Sequence, residues 1–107
     1  MKPICGSDLD NTYDTHPEIH GEVDFIVTGN SWDKADEIMD TEDINKPVFW
    51  NPGKEELMDI VAHKANIINK TGAVKFFEDQ EIQVNLLKTM CPHARIIQVK
   101  DNLNSII

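Results

Sequence analysis

Short apolar runs alternate with amphipathic segments along most of the chain, and this alternation is the feature that most restricts its fold. A weak run, PICGS (3–7), comes first, and four stronger ones follow: VDFIVT (23–28), PVFW (47–50), AVKFF (73–77) and ARIIQV (94–99). Short runs rich in β-branched and aromatic residues are typical of buried strands. Strands that alternate with helices predict an α/β fold, namely a doubly wound parallel sheet of about five strands with helices on both faces.

Three segments between or after these runs have helical periodicity. The first spans residues 32–42. The second covers 54–70 and is followed by Gly72, a residue that suits the left-handed position closing many helices. The third covers 79–90 and stops before a proline. Residues 101–107, after the last strand, are expected to form a loosely attached tail.

Length and composition are those of one compact domain over residues 1–107. Hydrophobic residues make up 40% of the chain, which is enough for one modest core. No run approaches the roughly 18 apolar residues of a membrane span, and the amino terminus lacks the apolar centre of a signal peptide. Cys5 and Cys91 match no metal-binding spacing and indicate two thiols in a reducing compartment. We therefore expect a cytoplasmic protein without membrane attachment.

The net charge of −9 restricts the partners of the chain. The basic residues are scattered, so no positive patch is available for a phosphate backbone, and direct binding to nucleic acid is not expected. Trp32 and Trp50 are accordingly predicted to be packing residues rather than platforms for stacked bases. An acidic site can instead hold a divalent cation, which then attracts an anionic substrate.

Polar residues and one glycine follow the predicted strands at the points where the strands end. In a parallel sheet these ends meet at one edge, where ligands bind, so the residues should converge on a single site. Most of them carry carboxylate, hydroxyl or amide groups suited to binding metal or phosphate. They are Asp8, Asp10, Thr28, Gly29, Asn51, Glu78 and Asp79.

The acidic stretch GSDLDNTYD (6–14) admits three interpretations: a calcium loop, an acidic turn without chemistry, or a nucleophile at a strand end. A calcium loop beginning at Asp8 needs Gly at its sixth position and Glu at its twelfth, where Tyr13 and Ile19 stand. As a nucleophile, Asp8 can attack phosphorus while Asp10, two residues on, handles protons.

Four segments resemble, in order, the motifs of haloacid dehalogenase-like (HAD) phosphatases. They are DLDNT (8–12), FIVTGN (25–30), the lysine in VAHKANI (61–67) and KFFEDQEIQV (75–84). The resemblance covers essentially the whole chain. It implies a Rossmann-like HAD core and a phosphatase that hydrolyses phosphomonoesters through an aspartyl-phosphate intermediate, with Mg²⁺ as cofactor.

The resemblance also implies residue roles. Asp8 would be the nucleophile and a Mg²⁺ ligand. Asp10 would protonate the leaving group and then deprotonate water, with its backbone carbonyl on the metal. Thr28 and Lys64 would hold the phosphoryl oxygens, helped by the amide of Gly29.

Asp79 would complete the magnesium site implied by the resemblance, with Glu78 either behind the ligands or bound to the metal through a water. The family usually has an aspartate pair or Gly-Asp at this motif, so the glutamate in Glu78-Asp79 is a departure. Magnesium keeps several waters and needs only one or two carboxylates plus substrate, which fits this ligand count.

The phosphate-binding lysine has two assignments. In one unbroken helix over 54–70, Lys64 would lie about 15 Å along the axis at about 1.5 Å per residue, too far from the strand ends. Assigning the role to Lys64 therefore predicts a break or restart of the helix near 59–63. Lys54 is the alternative, and the resemblance favours Lys64.

Family members often carry a cap domain between the first two motifs. Residues 13–22 are too short for one, which implies a capless enzyme with an open site. Such a site suits phosphorylated small molecules or macromolecules, or an oligomer in which another chain supplies the lid. His16 and His20 lie four residues apart in this segment, but Pro17 disfavours a helical zinc pair. We expect exposed loop histidines, or histidines that touch substrate.

Two other functions fit parts of the pattern. A receiver-like signalling module also phosphorylates an aspartate on a doubly wound sheet, but there the aspartate would follow a middle strand and a lysine the last one. Here the acid pair is at the start of the chain, and only Lys100 could serve as that lysine. The other alternative is a HAD-fold binding protein that has lost catalysis, against which the retained Asp8, Asp10, Thr28 and Asp79 argue.

Overall fold

The computed structural model describes residues 3–42 and 44–100. They form five strands, three α-helices, one irregular turn and one short 3₁₀ helix. The strands are β1 (Cys5–Asp8), β2 (Phe25–Val27), β3 (Val48–Phe49), β4 (Lys75–Glu78) and β5 (Arg95–Gln98). The helices are α1 (Trp32–Glu42), α2 (Leu57–Thr71) and α3 (Glu81–Met90). An irregular turn (Leu9–Tyr13), in which Asp10 and Asn11 have non-helical backbone angles, and a 3₁₀ helix (Pro17–Ile19) connect β1 to β2.

The sheet has the strand order β3-β2-β1-β4-β5, and every adjacent pair is parallel. Along the chain, β2 and β3 are added on one side of β1, and β4 and β5 are then added on its other side. This reversal produces a crevice at the carboxyl end of β1, where the neighbouring connections leave toward opposite faces. The end of β1 is therefore the expected position of a ligand site.

Each face of the sheet has its own core, because successive strand residues point to opposite sides. Phe25, Phe76 and Ile96 pack on the side of α2 and α3. Ile26 and Phe77 pack on the side of α1 and of the segment between β1 and β2. Helices thus cover both faces, and the predicted α/β fold with a doubly wound parallel sheet is confirmed.

Two glycines are required where the sequence has them. Gly6 on β1 is paired with Phe25 on β2, and a β-carbon at Gly6 would lie 2.4 Å from an atom of the Phe25 ring. Only a residue without a side chain lets that ring lie over the central strand. Gly72 has a φ of 71° and closes α2, as its position after the helical pattern predicts.

The predicted helix over 54–70 begins later than expected, at Leu57. The Asn51 side chain explains the delay, because its Oδ1 accepts a 2.7 Å hydrogen bond from the Lys54 amide and its Nδ2 donates to the Lys54 carbonyl at 2.6 Å. This pair of bonds holds residues 51–54 in a turn. The predicted tail over 101–107 lies outside the described residues. Within the described ranges, no helix is long and apolar enough to cross a membrane.

Candidate functional site

The carboxyl ends of β1, β2 and β4 meet at a cavity of about 120 Å³. Its walls come from segments that are far apart in the sequence and mostly polar. The lining residues are Asp8, Asp10, Asn11, Gly29, Asn30, Lys64, Asp79, Gln80 and Gln83. The predicted convergence of strand-end residues on one site is therefore observed for most of the set, and Thr28, Asn51 and Glu78 lie behind this lining.

Asp8 is the last residue of β1 and is almost completely buried. The chain then turns over Leu9–Tyr13, and Leu9 is buried in the core. The Thr12 hydroxyl lies 3.4 Å from Asp8 Oδ2, 3.4 Å from the Asp10 carbonyl and 3.2 Å from Asp79 Oδ1. One hydroxyl thus links the acidic loop to the residue that follows β4.

Asp10 is held at the cavity by a contact that the sequence did not indicate. Asn11 has a left-handed φ of 57°, a conformation that asparagine tolerates better than most residues. Asn30, after β2, donates a hydrogen bond from its side-chain amide to Asp10 Oδ2. Its backbone amide donates to the Thr28 hydroxyl oxygen at 3.0 Å. Asn30 therefore links the loop after β2 to the second aspartate of the acidic loop.

Lys64 is buried in the middle of α2 and reaches the end of β1. Its Nζ lies 3.0 Å from Asp8 Oδ1, 2.9 Å from Glu78 Oε2 and 2.8 Å from Gln83 Oε1. The Gln83 side chain is itself oriented by Gln80, whose Oε1 accepts a 2.7 Å hydrogen bond from Gln83 Nε2. All three donor positions of the ammonium have an acceptor, so the lysine is fixed in place.

The expectation that α2 must break near 59–63 for Lys64 to reach the site is wrong. The helix is continuous from Leu57 to Thr71. Its first turn extends past the strand ends, since Ile60 packs beside Gly29 and His63 Nε2 lies 3.2 Å from the Trp50 carbonyl oxygen. Lys64 is one turn further on and therefore level with the end of β1. The alternative, Lys54, has an exposed side chain and does not line the cavity.

Burial and like charges shift the pKa values of these groups. Burial raises the pKa of Asp8 well above its usual value, and the nearby carboxylates of Glu78 and Asp79 act in the same direction, while Lys64 opposes them. Burial also raises the pKa of Glu78, again against the effect of Lys64. For Lys64, burial favours the neutral amine, but Asp8 and Glu78 outweigh it and the pKa is raised.

Asp8, Glu78 and Asp79 form an acidic cluster in which one oxygen from each lies within 4.8 Å of the others. Glu78 is fully buried, and its Oε1 accepts hydrogen bonds from the amides of Asp79 (3.2 Å) and Gln80 (3.3 Å). Three carboxylates face the single ammonium of Lys64 within this cluster, which leaves an excess of negative charge. Hard oxygen donors in such a group are suited to Mg²⁺ or Ca²⁺.

Other predicted residues have different positions around the cavity. The Asp10 carboxylate lines the cavity but does not belong to the three-carboxylate cluster. Thr28 is buried at the end of β2, with its hydroxyl turned to the Asn30 amide. Gly29 lines the cavity, and its carbonyl accepts a 3.0 Å hydrogen bond from Asn51 Nδ2. The proposed contacts of Thr28 and Gly29 with phosphate remain predictions.

The expectation of exposed histidines between β1 and β2 is wrong. His16 is buried, with Nδ1 at 2.8 Å from Glu18 Oε1 and Nε2 at 2.5 Å from the Lys100 carbonyl oxygen. His20 is half-buried and stacks on Tyr13 with ring centroids 3.8 Å apart. Both rings contribute to packing of the connection against the sheet, which the loop sequence alone did not indicate.

Comparison with protein-family models, with curated proteins and with solved structures finds no match to this chain. Function is therefore inferred from the residues and geometry of the site.

Proposed function

We propose that the protein is a phosphatase of the HAD type that hydrolyses phosphomonoesters through an aspartyl-phosphate on Asp8. The observation that carries this proposal is the setting of Asp8 at the end of the central strand, where it faces a small polar cavity. Its Oδ1 lies 3.0 Å from the Lys64 ammonium, and its carboxylate belongs to the acidic cluster with Asp79. A buried nucleophile beside a fixed cation and a cation-binding cluster is what phosphoryl transfer requires.

In the first step an Asp8 oxygen bonds to phosphorus as the ester P–O bond breaks. Asp10, in its protonated form, gives its proton to the departing oxygen, so the leaving group departs as a neutral alcohol or phenol. Asn30 keeps the Asp10 carboxyl at the cavity through its side-chain hydrogen bond. Lys64 stabilises negative charge beside the nucleophile, where it is already oriented by Glu78 and Gln83.

In the second step the aspartyl-phosphate is hydrolysed. The Asp10 carboxylate takes a proton from water, the water oxygen bonds to phosphorus, and the bond between phosphorus and the Asp8 oxygen breaks. Inorganic phosphate leaves, Asp8 is again a carboxylate, and Asp10 is again protonated. One residue thus serves as acid and then as base, because the proton lost in the first step is regained in the second.

The residues of the acidic cluster fit a divalent cation. Asp8 and Asp79 would hold it, with the Asp10 carbonyl, and Glu78, whose oxygens bind Lys64 and two backbone amides, would lie behind them or bind through a water. The donor set supports this assignment, since all the ligands are hard oxygens and the carboxylates outnumber the ammonium in a buried setting. When bound, Mg²⁺ would neutralise the phosphoryl oxygens and so allow an anionic nucleophile to approach an anionic substrate.

The surroundings of the cavity are consistent with the remaining predictions. Cys5 and Cys91 are buried thiols, in keeping with an enzyme of the cytoplasm. The described segment between β1 and β2 forms a 3₁₀ helix and places Ile19 in the core, which supports an open site without a cap domain. Phosphorylated small molecules or phosphorylated macromolecules could enter such a site.

Turnover of a generic aryl phosphate with and without Mg²⁺ tests the proposal. We expect wild-type protein to be active only with the cation, and Asp8→Asn to lose at least about 10³-fold in kcat because the nucleophile is gone. Asp36→Asn, which removes an exposed carboxylate on α1, is the matched control and should retain full activity.

Three results would contradict the phosphatase proposal. They are absence of turnover in wild-type protein, turnover unchanged by Asp8→Asn, and equal losses in Asp8→Asn and Asp36→Asn. Stable labelling of Asp8 by a small phosphodonor without turnover would instead support a receiver-like module. Neither labelling nor turnover would indicate a binding protein.

A further inference from the structure

Two tryptophans lie on the surface at the carboxyl edge of the sheet. Trp32 is the first residue of α1, and Trp50 directly follows β3. Their ring centroids are 4.6 Å apart with the planes inclined at 53°. They were expected to be packing residues, and they do contact each other, yet 45% of Trp32 and 44% of Trp50 remain exposed. Large aromatic side chains are the ones that gain most from burial, so this exposed pair needs an explanation.

The pair is next to the proposed catalytic cavity. Gly29 and Asn30 line the cavity, and Trp32 is two residues beyond Asn30, so their Cα atoms are at most about 7.6 Å apart. On the other side, Trp50 is bonded to Asn51, whose backbone amide donates a 2.8 Å hydrogen bond to the Asn30 carbonyl. The Asn51 side chain also binds the Gly29 carbonyl. Both rings are thus attached to the wall of the cavity through short, hydrogen-bonded connections.

An apolar groove adjoins Trp50. It is lined by Phe49, Trp50, Pro52 and His63. Burial lowers the pKa of His63 against the opposing hydrogen bond to the Trp50 carbonyl, and the neighbouring cations of Lys54 and Lys64 lower it further, which favours the uncharged imidazole. The groove therefore has little charge, in contrast to the strongly charged cavity beside it. A ligand that spans both surfaces needs an anionic end and an uncharged flat end.

We propose that Trp32 and Trp50 form a substrate platform that selects phosphomonoesters whose leaving group carries an aromatic ring. The inference rests on the proposed phosphatase function, because it places the phosphoryl group in the cavity beside Asp8. The leaving group then points out of the cavity toward its rim. Stacking on an indole favours a planar ring over an aliphatic group of the same size.

Three primary alkyl phosphates test this platform: 2-phenylethyl, 2-cyclohexylethyl and n-butyl phosphate. Their leaving alcohols have similar acidity, so the chemical step is matched and differences report binding of the leaving group. We expect wild-type KM to be lowest for the phenylethyl ester. Equal KM values for the phenylethyl and cyclohexylethyl esters would overturn aromatic recognition without the need for any variant.

Substitution of each tryptophan separates a platform from a structural role. In Trp32→Leu and Trp50→Leu we expect KM for the phenylethyl ester to rise about tenfold, an aromatic contact being worth roughly that factor. KM for the butyl ester should stay within about twofold and kcat should be unchanged. Trp50→Phe should restore most of the preference. Val74→Ala, which shortens an exposed apolar residue before β4, is the control and should change KM for neither ester. Equal losses on both esters, or none, would overturn the proposal.

A binding measurement distinguishes failure of the platform from failure of the phosphatase function. Calorimetric titration of the same three esters into the Asp8→Asn variant with Mg²⁺ needs no turnover. If wild-type protein shows no turnover but the Asp8→Asn variant binds the phenylethyl ester with a tryptophan-dependent preference, the platform is retained and the phosphatase is rejected. Turnover without that preference would reject the platform alone. Sedimentation that shows a dimer lost in Trp32→Leu would also reject the platform, because the pair would then be covered by a second copy of the chain.

Discussion

Replacing Lys64 with methionine removes a positive charge from the centre of a buried acidic cluster while keeping most of the side-chain volume. Lys64 is 2% exposed, and its Nζ contacts Asp8 at 3.0 Å and Glu78 at 2.9 Å. Both carboxylates would remain buried without their cation. Breaking a buried ion pair by removing one partner costs about 3–5 kcal/mol. Against a total stability of about 5–15 kcal/mol, Lys64→Met should lose about a fifth or more of the free energy of unfolding.

The loss is measured by urea unfolding followed by circular dichroism, in metal-free buffer at pH 7. A second variant makes the reasoning specific: in Lys64→Met/Glu78→Gln, one of the two orphaned carboxylates is neutral. We expect this double variant to recover about 1–3 kcal/mol relative to Lys64→Met, because a neutral amide costs less to bury than an unpaired charge. Lys70→Met, at an exposed lysine of the same helix, is the control and should change stability by less than about 1 kcal/mol.

Two outcomes would refute the electrostatic account of this cluster. One is a loss in Lys64→Met no larger than in Lys70→Met. The other is a double variant less stable than Lys64→Met itself, which would mean that Glu78 is not the group left unpaired. If Lys64→Met does not fold, Glu78→Gln alone still tests the pair: it retains Lys64 with Asp8 and should fold, and failure of Glu78→Gln to fold as well would contradict the account.

The remaining predictions concern packing, metal, catalysis and pH. Gly6→Ala should lower the free energy of unfolding in urea by about 1–3 kcal/mol or more, because its methyl group would meet the Phe25 ring. Gly21→Ala is the control: its methyl group would have no atom within 4 Å, so the free energy of unfolding should change by under about 0.5 kcal/mol. Mg²⁺ at about 100 times its dissociation constant should stabilise wild-type protein by about 2.7 kcal/mol in thermal unfolding, and Asp79→Asn should abolish most of that gain. If the phosphatase proposal holds, Asn30→Ala should reduce kcat about tenfold for alkyl phosphates, because Asn30 positions the proton donor Asp10. The reduction should be smaller for activated aryl phosphates, whose leaving groups need no proton donor. Equal reductions in kcat for both substrates would contradict this role of Asn30. The lowered pKa of His63 means that the folded state favours the neutral ring. The contribution of His63 to the free energy of unfolding is therefore present above about pH 6.5 and is lost as the pH falls through the lowered pKa. His63→Asn should reduce this loss of stability at acid pH, measured by urea unfolding.

Much of the site could be predicted from the local sequence, because the ends of the strands can be recognised in it. Asp8 follows a short apolar run, and Asp79 follows another, so the parallel arrangement of those strands brings both to one edge. The amide of Asn30 and the buried Gln83 were missed. Each sits in a helix start or a loop, where polar residues are common, and only its partner across the cavity makes it distinctive.

The position of Lys64 shows why distance along a helix was misleading. Counting residues from 54 put it too far from the strand ends, because the count assumed that the helix begins level with them. The Asn51 turn delays the start of α2, and the first helical turn lies beyond the sheet edge. His16 illustrates the same limit: its burial depends on Glu18 and on the backbone of Lys100, which is 84 residues away.

The alternation of apolar runs with segments of helical periodicity was enough to predict an α/β fold with a parallel sheet. The spacing of hydrophobic residues along each segment shows which of its faces is buried. It also determined that carboxylates would gather at one edge. Only the tertiary structure decided which groups meet there: Lys64 between Asp8 and Glu78, Asn30 on Asp10, and the two tryptophans beside the cavity. Those contacts join segments whose relative height and rotation are set by packing across the sheet, and no local pattern in the sequence specifies them.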